Sequence, residues 1–296
     1  MEPVARIVKL LTPDRFLLDG LWFGPEKPKR VIVFIHGLTG SFLSGTGIRL
    51  APLLINSATS LLSFNNRGHD IVAKTKRVDK RKKKGYSSQT LGAALEKFSD
   101  CVFDIQGAVK FAKTHGAKEI FLMGHSTGSQ KSIFYLSKRG KQRQVKGVIL
   151  LSPMSDYADS LRANGQEKIN LAENFATKLV KKGGGNELLP LSVWPDLNSA
   201  QRFLSLNTQN SEEEIFTYVE PTKSPHTLRK IKVPTLVVLA EKDEFRDRPM
   251  AKIAKWFDKH LRRKIATIKI VGGADHGFSE KEKEVAKLIN SWLSMW

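Results

Sequence analysis

The sequence predicts an α/β fold, a mostly parallel twisted sheet with helices on both faces and a helical cap inserted between two of its strands. Three observations carry that expectation. Short runs of Val, Ile, Leu and Phe recur along the chain, helical periodicity fills gaps between them, and one long segment interrupts the alternation. Strand, helix and strand in series pack as a parallel sheet covered on both sides.

Ala5–Leu11 and Phe16–Trp22 read as an antiparallel pair joined across the turn-forming Thr12-Pro13-Asp14. Arg30–His36 is a nearly unbroken apolar run, the pattern of a strand buried on both faces. Thr59–Phe64, Glu119–Met123, Lys146–Leu151 and Thr235–Leu239 repeat it, and Ile265–Val271 alternates. Leu91, Leu95, Phe98, Val102, Ile105 and Val109 alternate steps of four and three, which places them on one helical face. Lys252–Leu261 and Ser279–Trp292 also read as helices. From Asp156 to Lys232 the chain is polar and lacks a strong strand pattern. It holds helix-like pieces at Leu171–Val180 and Ser199–Leu206, a Gly183-Gly184-Gly185 hinge, and prolines at 190, 195, 221 and 225. A structureless loop of that length is rare in a compact domain. The expected organisation is a core of residues 1–155 and 233–296, with 156–232 as a helical cap or lid. The basic run Lys74–Lys84 reads as a low-complexity loop.

Composition narrows the class. The 296 residues include 49 Lys+Arg against 29 Asp+Glu, a formal charge of +20, yet 41% are hydrophobic. Disordered chains pair high charge with low hydrophobicity, so a folded domain is expected. The lone Cys101 excludes an internal disulfide and favours a reducing compartment. The longest apolar runs fall far below the roughly 20 residues of a membrane span, and Met1–Arg6 has no apolar signal core. A cytoplasmic protein is expected.

The chemistry concentrates around Gly124-His125-Ser126-Thr127-Gly128, a G-x-S-x-G directly after the strand Ile120–Met123 and before a helix-like stretch. Such a sharp turn strains the serine backbone and needs glycine where segments approach closely, and it exposes Oγ at a helix N-terminus. A bland alternative is a tight turn with a capping serine. A serine hydroxyl needs a base. Of seven histidines, His276 sits in a loop after the last strand, where sites gather in parallel sheets. His125 adjoins the serine and points away from it, and His36 reads as structural. The base needs a carboxylate. Asp243, after the strand Thr235–Leu239, is the first candidate, and Asp156, after the strand ending at Leu151, is its competitor. The oxyanion donors are expected to be the backbone N–H groups of Leu38, in His36-Gly37-Leu38-Thr39-Gly40, and of Thr127.

On these residues the chain resembles the α/β-hydrolase superfamily over nearly its whole length: the His36-Gly37 loop, the elbow at Ser126, the acid at Asp243, the histidine at His276 and the Asn66-Arg67-Gly68-His69 turn. The elbow GHSTG, Leu151–Asp156 and Arg202-Phe203-Leu204-Ser205-Leu206 resemble a mostly fungal group that includes siderophore esterases. The His-Gly loop is more similar to the monoacylglycerol lipase and serine aminopeptidase branch. The resemblance implies an α/β-hydrolase fold and a serine carboxylesterase with Ser126, Asp243 and His276 as triad. Lipase, thioesterase, feruloyl, siderophore or polyester esterase and aminopeptidase are alternatives. A serine at the elbow speaks against dehalogenases and epoxide hydrolases of this fold. No metal or other cofactor is implied.

Lys74–Lys84 holds eight basic residues against Asp79 alone. With Lys181-Lys182 and Arg262-Arg263-Lys264 it suggests a cationic surface that can attract nucleic acid or anionic membranes. The rival to an enzyme is therefore a basic binding protein on a hydrolase scaffold; a merely solvated loop is favoured over both binding roles. A small-molecule ester is the expected partner. Trp194, Phe203, Phe216 and Tyr218 are read either as an acyl pocket or as the cap's own core. Glu212-Glu213-Glu214 is read as an acidic helix start, or as a grip for a peptide amine.

Overall fold

The computed structural model describes residues 5–138 and 140–296; the reading of the extreme N-terminus falls partly on residues 1–4, outside them. Among the described residues ten strands form one sheet. They are β1 (Ala5–Leu11), β2 (Phe16–Phe23), β3 (Arg30–Ile35), β4 (Thr59–Phe64), β5 (Ala73–Val78), β6 (Tyr86–Leu91), β7 (Glu119–His125), β8 (Gly147–Leu151), β9 (Thr235–Ala240) and β10 (Ala266–Val271). The order is β10-β9-β8-β7-β3-β4-β2-β5-β6, with β1 on β2. The six strands from β10 to β4 run parallel. The remainder is antiparallel, because β1 and β2 join through a short turn that only reverses the chain.

β3, β4, β7, β8 and β9 are buried along almost their whole length, which explains their unbroken apolar sequences. Each face of the sheet has its own core. One packs against α2 (Cys101–Thr114), α3 (Thr127–Ser137) and α8 (Met250–His260), with residues such as Ile105, Ile133 and Phe257. The other packs against α1 (Thr46–Leu54) and α9 (Glu282–Leu293), with Leu50, Ile289 and Trp292.

Between β8 and β9 lie α4 (Asp156–Asn164), α5 (Gln166–Lys181), α6 (Ala200–Leu206) and the single turn α7 (His226–Arg229). They enclose a third apolar cluster of Tyr157, Ile169, Ala172, Ala176, Leu189, Trp194, Ala200 and Phe203. Trp194 and Phe203 are therefore packing residues of this insertion, in edge contact at 4.8 Å. Phe216 and Tyr218 belong to the core on the face of α2, α3 and α8.

Three local expectations change. The basic run is a hairpin, not a loop: Lys74, Lys76 and Arg77 lie in β5, and the turn spans Asp79–Gly85. Leu91 ends β6 and Leu95 and Phe98 sit in short 3-10 turns, so of the six periodic residues Val102, Ile105 and Val109 are in α2. Gly92, at φ 112°, breaks the pattern, since a Cβ there would meet the Ile71 carbonyl at 2.6 Å. Glu212–Glu214 starts no helix.

Candidate active site

The carboxyl ends of the parallel strands converge on one cleft of about 370 Å³, whose walls include Leu38, Thr39, Ser126, Met154, Asp156, Phe245 and His276. Ser126 joins β7 to α3 with φ 54° and ψ −127°, a conformation a residue with a Cβ holds only under constraint. The constraint is close packing. A Cβ on Gly124 would collide with the backbone of Gly128, and one on Gly128 with the Ile35 carbonyl. The Ser126 N–H donates to the Leu151 carbonyl at 3.0 Å. The turn thus presents the serine at the N-terminal, electropositive end of α3.

His276 follows β10, and Asp243 follows β9. His276 Nδ1 lies 2.7 Å from Asp243 Oδ2, and the carboxylate is wholly buried. Asp243 Oδ1 also accepts the Phe245 N–H at 3.0 Å, and the Phe245 ring stands edge-on to the imidazole at 4.7 Å. This arrangement makes Nδ1 the donor and leaves Nε2 as the basic nitrogen. Asp156 is elsewhere engaged: its Oδ2 accepts from Gln130 Nε2 at 2.5 Å. Burial pushes the Asp156 carboxyl well up, reinforced by Glu213 and Glu214.

The loop after β3 lies directly against the serine. A Cβ on Gly37 would approach Ser126 Cβ at 2.8 Å and the His125 carbonyl at 3.1 Å, so only glycine lets it sit there. Among the described residues no acceptor takes the N–H of Leu38 or of Thr127. His36 holds this loop: it accepts the Asn66 N–H on Nε2 at 3.2 Å, and its Nδ1 donates to the Gly37 carbonyl at 2.9 Å. Burial, with Lys131 nearby, drops its pKa to about 3, so it is neutral.

Several contributors escape a motif search. The His276 carbonyl accepts from His125 Nε2 at 2.9 Å and from Ser152 Oγ at 2.8 Å, while its N–H donates to Glu244 Oε2 at 2.9 Å. Burial and the neighbouring His276 lower His125 to about 4, which keeps it a neutral strut. Beneath the site, Arg67 spans Asp104, Asp100 and Asp14. Lys131, Glu96, Arg202 and Glu213 form a fully buried ionic chain that ties α3 to α6. Glu214 accepts from Ser155 Oγ at 2.7 Å. Glu213 and Glu214 are thus structural carboxylates. Within this ionic chain Arg202 and Ser205 both reach Glu213. Among the described residues no group of three or more His, Cys, Asp or Glu is disposed to hold a metal ion.

The sheet order, the serine turn and the strand-end histidine define the α/β-hydrolase fold, and solved structures share that fold. The fold superimposes on the siderophore hydrolase EstB of Aspergillus fumigatus with a TM-score of 0.61, 18% identity and 94% of each chain covered. Residues 82–295 match the family described as a protein of unknown function, DUF1749, and the chain belongs to that family. The UPF0613 protein PB24D3.06c of Schizosaccharomyces pombe is 27% identical over 68% of this chain and 69% of that protein. A monoglyceride lipase homolog of monkeypox virus is 25% identical over 68% of this chain and 71% of its own length. Among the described residues no helix is long and apolar enough to cross a membrane.

Proposed function

We propose that the protein is a serine carboxylesterase that hydrolyses small to medium carboxylic esters through an acyl-enzyme on Ser126. One observation carries the proposal: a serine held in strained backbone shares a cleft with a histidine whose Nδ1 is fixed by a buried aspartate. His276 Nε2 takes the Ser126 proton as Oγ attacks the ester carbon, and Asp243 stabilises the imidazolium. The Leu38 and Thr127 N–H groups receive the oxyanion, an interaction worth about 2.7–4 kcal/mol per donor in a well-studied serine protease. The imidazolium then protonates the leaving alkoxide, and His276 activates the water that releases the acid. Residues 156–232 act as a cap over this cleft.

The similarity to proteins named siderophore hydrolase and monoglyceride lipase homolog supports ester substrates. Against an aminopeptidase stands the engagement of Glu213 by Arg202 and of Glu214 by Ser155. The buried free Cys101 accords with a reducing, cytoplasmic setting. The test is covalent labelling with a fluorophosphonate probe. Mass spectrometry should place the adduct on Ser126 in the native protein and find none after heat denaturation. Labelling that survives Ser126→Ala would sink the assignment.

A further inference from the structure

Leu38 and Thr39, which wall the cleft at Ser126, are also walls of a second pocket of about 240 Å³. We infer that this second pocket, bounded by Ile71, Ala93, Ala94, Leu197 and Leu206, takes a neutral hydrocarbon chain carried by the ester. The inference rests on the hydrolase reading and adds the substrate's chemistry to it.

Three features of the pocket point that way. Its walls are mostly aliphatic, and Ile71 and Leu197 are exposed at its mouth, an arrangement that water disfavours and an apolar chain relieves. Its frame is laced by backbone hydrogen bonds. Asp70 N–H donates to the Gly40 carbonyl at 3.1 Å, Ala94 N–H to Ile71 at 3.0 Å, and Ser199 N–H to Ala94 at 2.8 Å. The oxyanion loop, the turn at 92–95 and the inserted segment 195–199 therefore hold the pocket open beside the reacting centre. Small side chains at Ala93 and Ala94 leave the room. The charge is also selective. Although the chain has 49 Lys+Arg, no lysine or arginine lines either pocket among the described residues, while Asp159 and Asp196 do. An anionic chain finds no counter-charge there. Together the two pockets reach the roughly 300–1,000 Å³ of ordinary small-molecule sites.

The experiment compares kcat/KM ratios, which do not depend on the active fraction. One arm uses 4-nitrophenyl octanoate against acetate, with the chain on the acyl side. The other uses octyl acetate against methyl acetate, with the chain on the alcohol side. Leu197→Asp, on the exposed rim, and Ala94→Leu, which fills the floor, should each lower one of these ratios roughly tenfold or more. Leu171→Asp, an exposed leucine on α5, should leave both unchanged. The mono-4-nitrophenyl ester of octanedioic acid should be a poorer substrate than the octanoate. If both variants leave both ratios at the wild-type value, or the carboxylated chain is preferred, the inference is overturned. If no ester is cleaved, the hydrolase reading fails by itself and the pocket is still testable. Calorimetric titration with N-octylacetamide and N-methyloctanamide should then show binding of at least one amide that Leu197→Asp weakens. Absent or unaltered binding overturns the inference.

Discussion

Arg202 offers the sharpest test of how the inserted helices are fixed to the sheet. It is fully buried, with Nη1 2.5 Å from Glu213 Oε2 and Nη2 3.4 Å from Glu96 Oε2. Lys131 Nζ completes the chain at 2.7 Å from Glu96 Oε1. Two cations thus balance two carboxylates out of reach of water. Burial alone would raise the Glu96 carboxyl, but Lys131 and Arg202 outweigh it and hold it below its ordinary value. Arg202→Leu leaves two carboxylates facing one ammonium. Removing one partner of a buried ion pair costs about 3–5 kcal/mol. For a chain of this size that corresponds to a fall in melting temperature on the order of 10 °C. Glu213→Leu on top of Arg202→Leu leaves the Glu96–Lys131 pair neutral, so the double variant should recover most of the loss. Urea unfolding of the three proteins measures both quantities. A single-variant loss below about 1 kcal/mol, or a double variant less stable than Arg202→Leu, would refute the charge-balance argument.

The remaining predictions concern the site. Asp243→Asn should lower kcat on a soluble ester about 10⁴-fold, because an amide at Oδ2 no longer fixes the Nδ1–H tautomer of His276; stopped-assay kinetics with an unchanged melting temperature would check this. Gly37→Ala should lower kcat roughly 100-fold or more, since the new Cβ drives the loop from Ser126 and displaces the Leu38 N–H; near-native kinetics would show that the loop has other room. Burial raises the Glu214 carboxyl to about 7 against an ordinary 4.5. The folded state therefore holds a proton that the unfolded chain releases. That contribution is full below pH 4.5 and is lost as pH rises through 7. Relative to Glu214→Gln, the wild type should lose about 3 kcal/mol of stability between pH 4.5 and 8, and parallel pH–stability curves from denaturant titration would contradict the assignment.

What the sequence revealed depended on whether one local stretch sufficed. β3, β7, β8 and β9 are legible because burial on both faces leaves no polar position to confuse the pattern. Ser126 and its glycines are legible because the turn's steric demands fall within five residues. α1 carries no legible helical pattern, since Gly47 and Pro52 lie within it and mask its periodicity. The β5–β6 hairpin was hidden by lysines whose alternation is visible only once Thr75 is seen to face inward. The helical reading of residues 91–98 failed because three- and four-residue spacing can also arise across a strand end and two tight turns. The ionic chain from Lys131 to Glu213 had no local signature, because its members come from four separate segments brought together by the fold. His125 and Ser152 act on the His276 backbone, so their residue types alone gave no hint of that use.

The central claim is that Ser126 is the nucleophile of an esterase, and one comparison reaches it directly. Initial rates of 4-nitrophenyl ester hydrolysis, from acetate upward, are measured for the wild type beside Ser126→Ala at low and high salt. The account predicts turnover of at least one ester by the wild type, little changed by salt because the substrate is neutral. It predicts a fall of several orders of magnitude in the alanine variant. A folded wild type no faster than Ser126→Ala on every ester would contradict it.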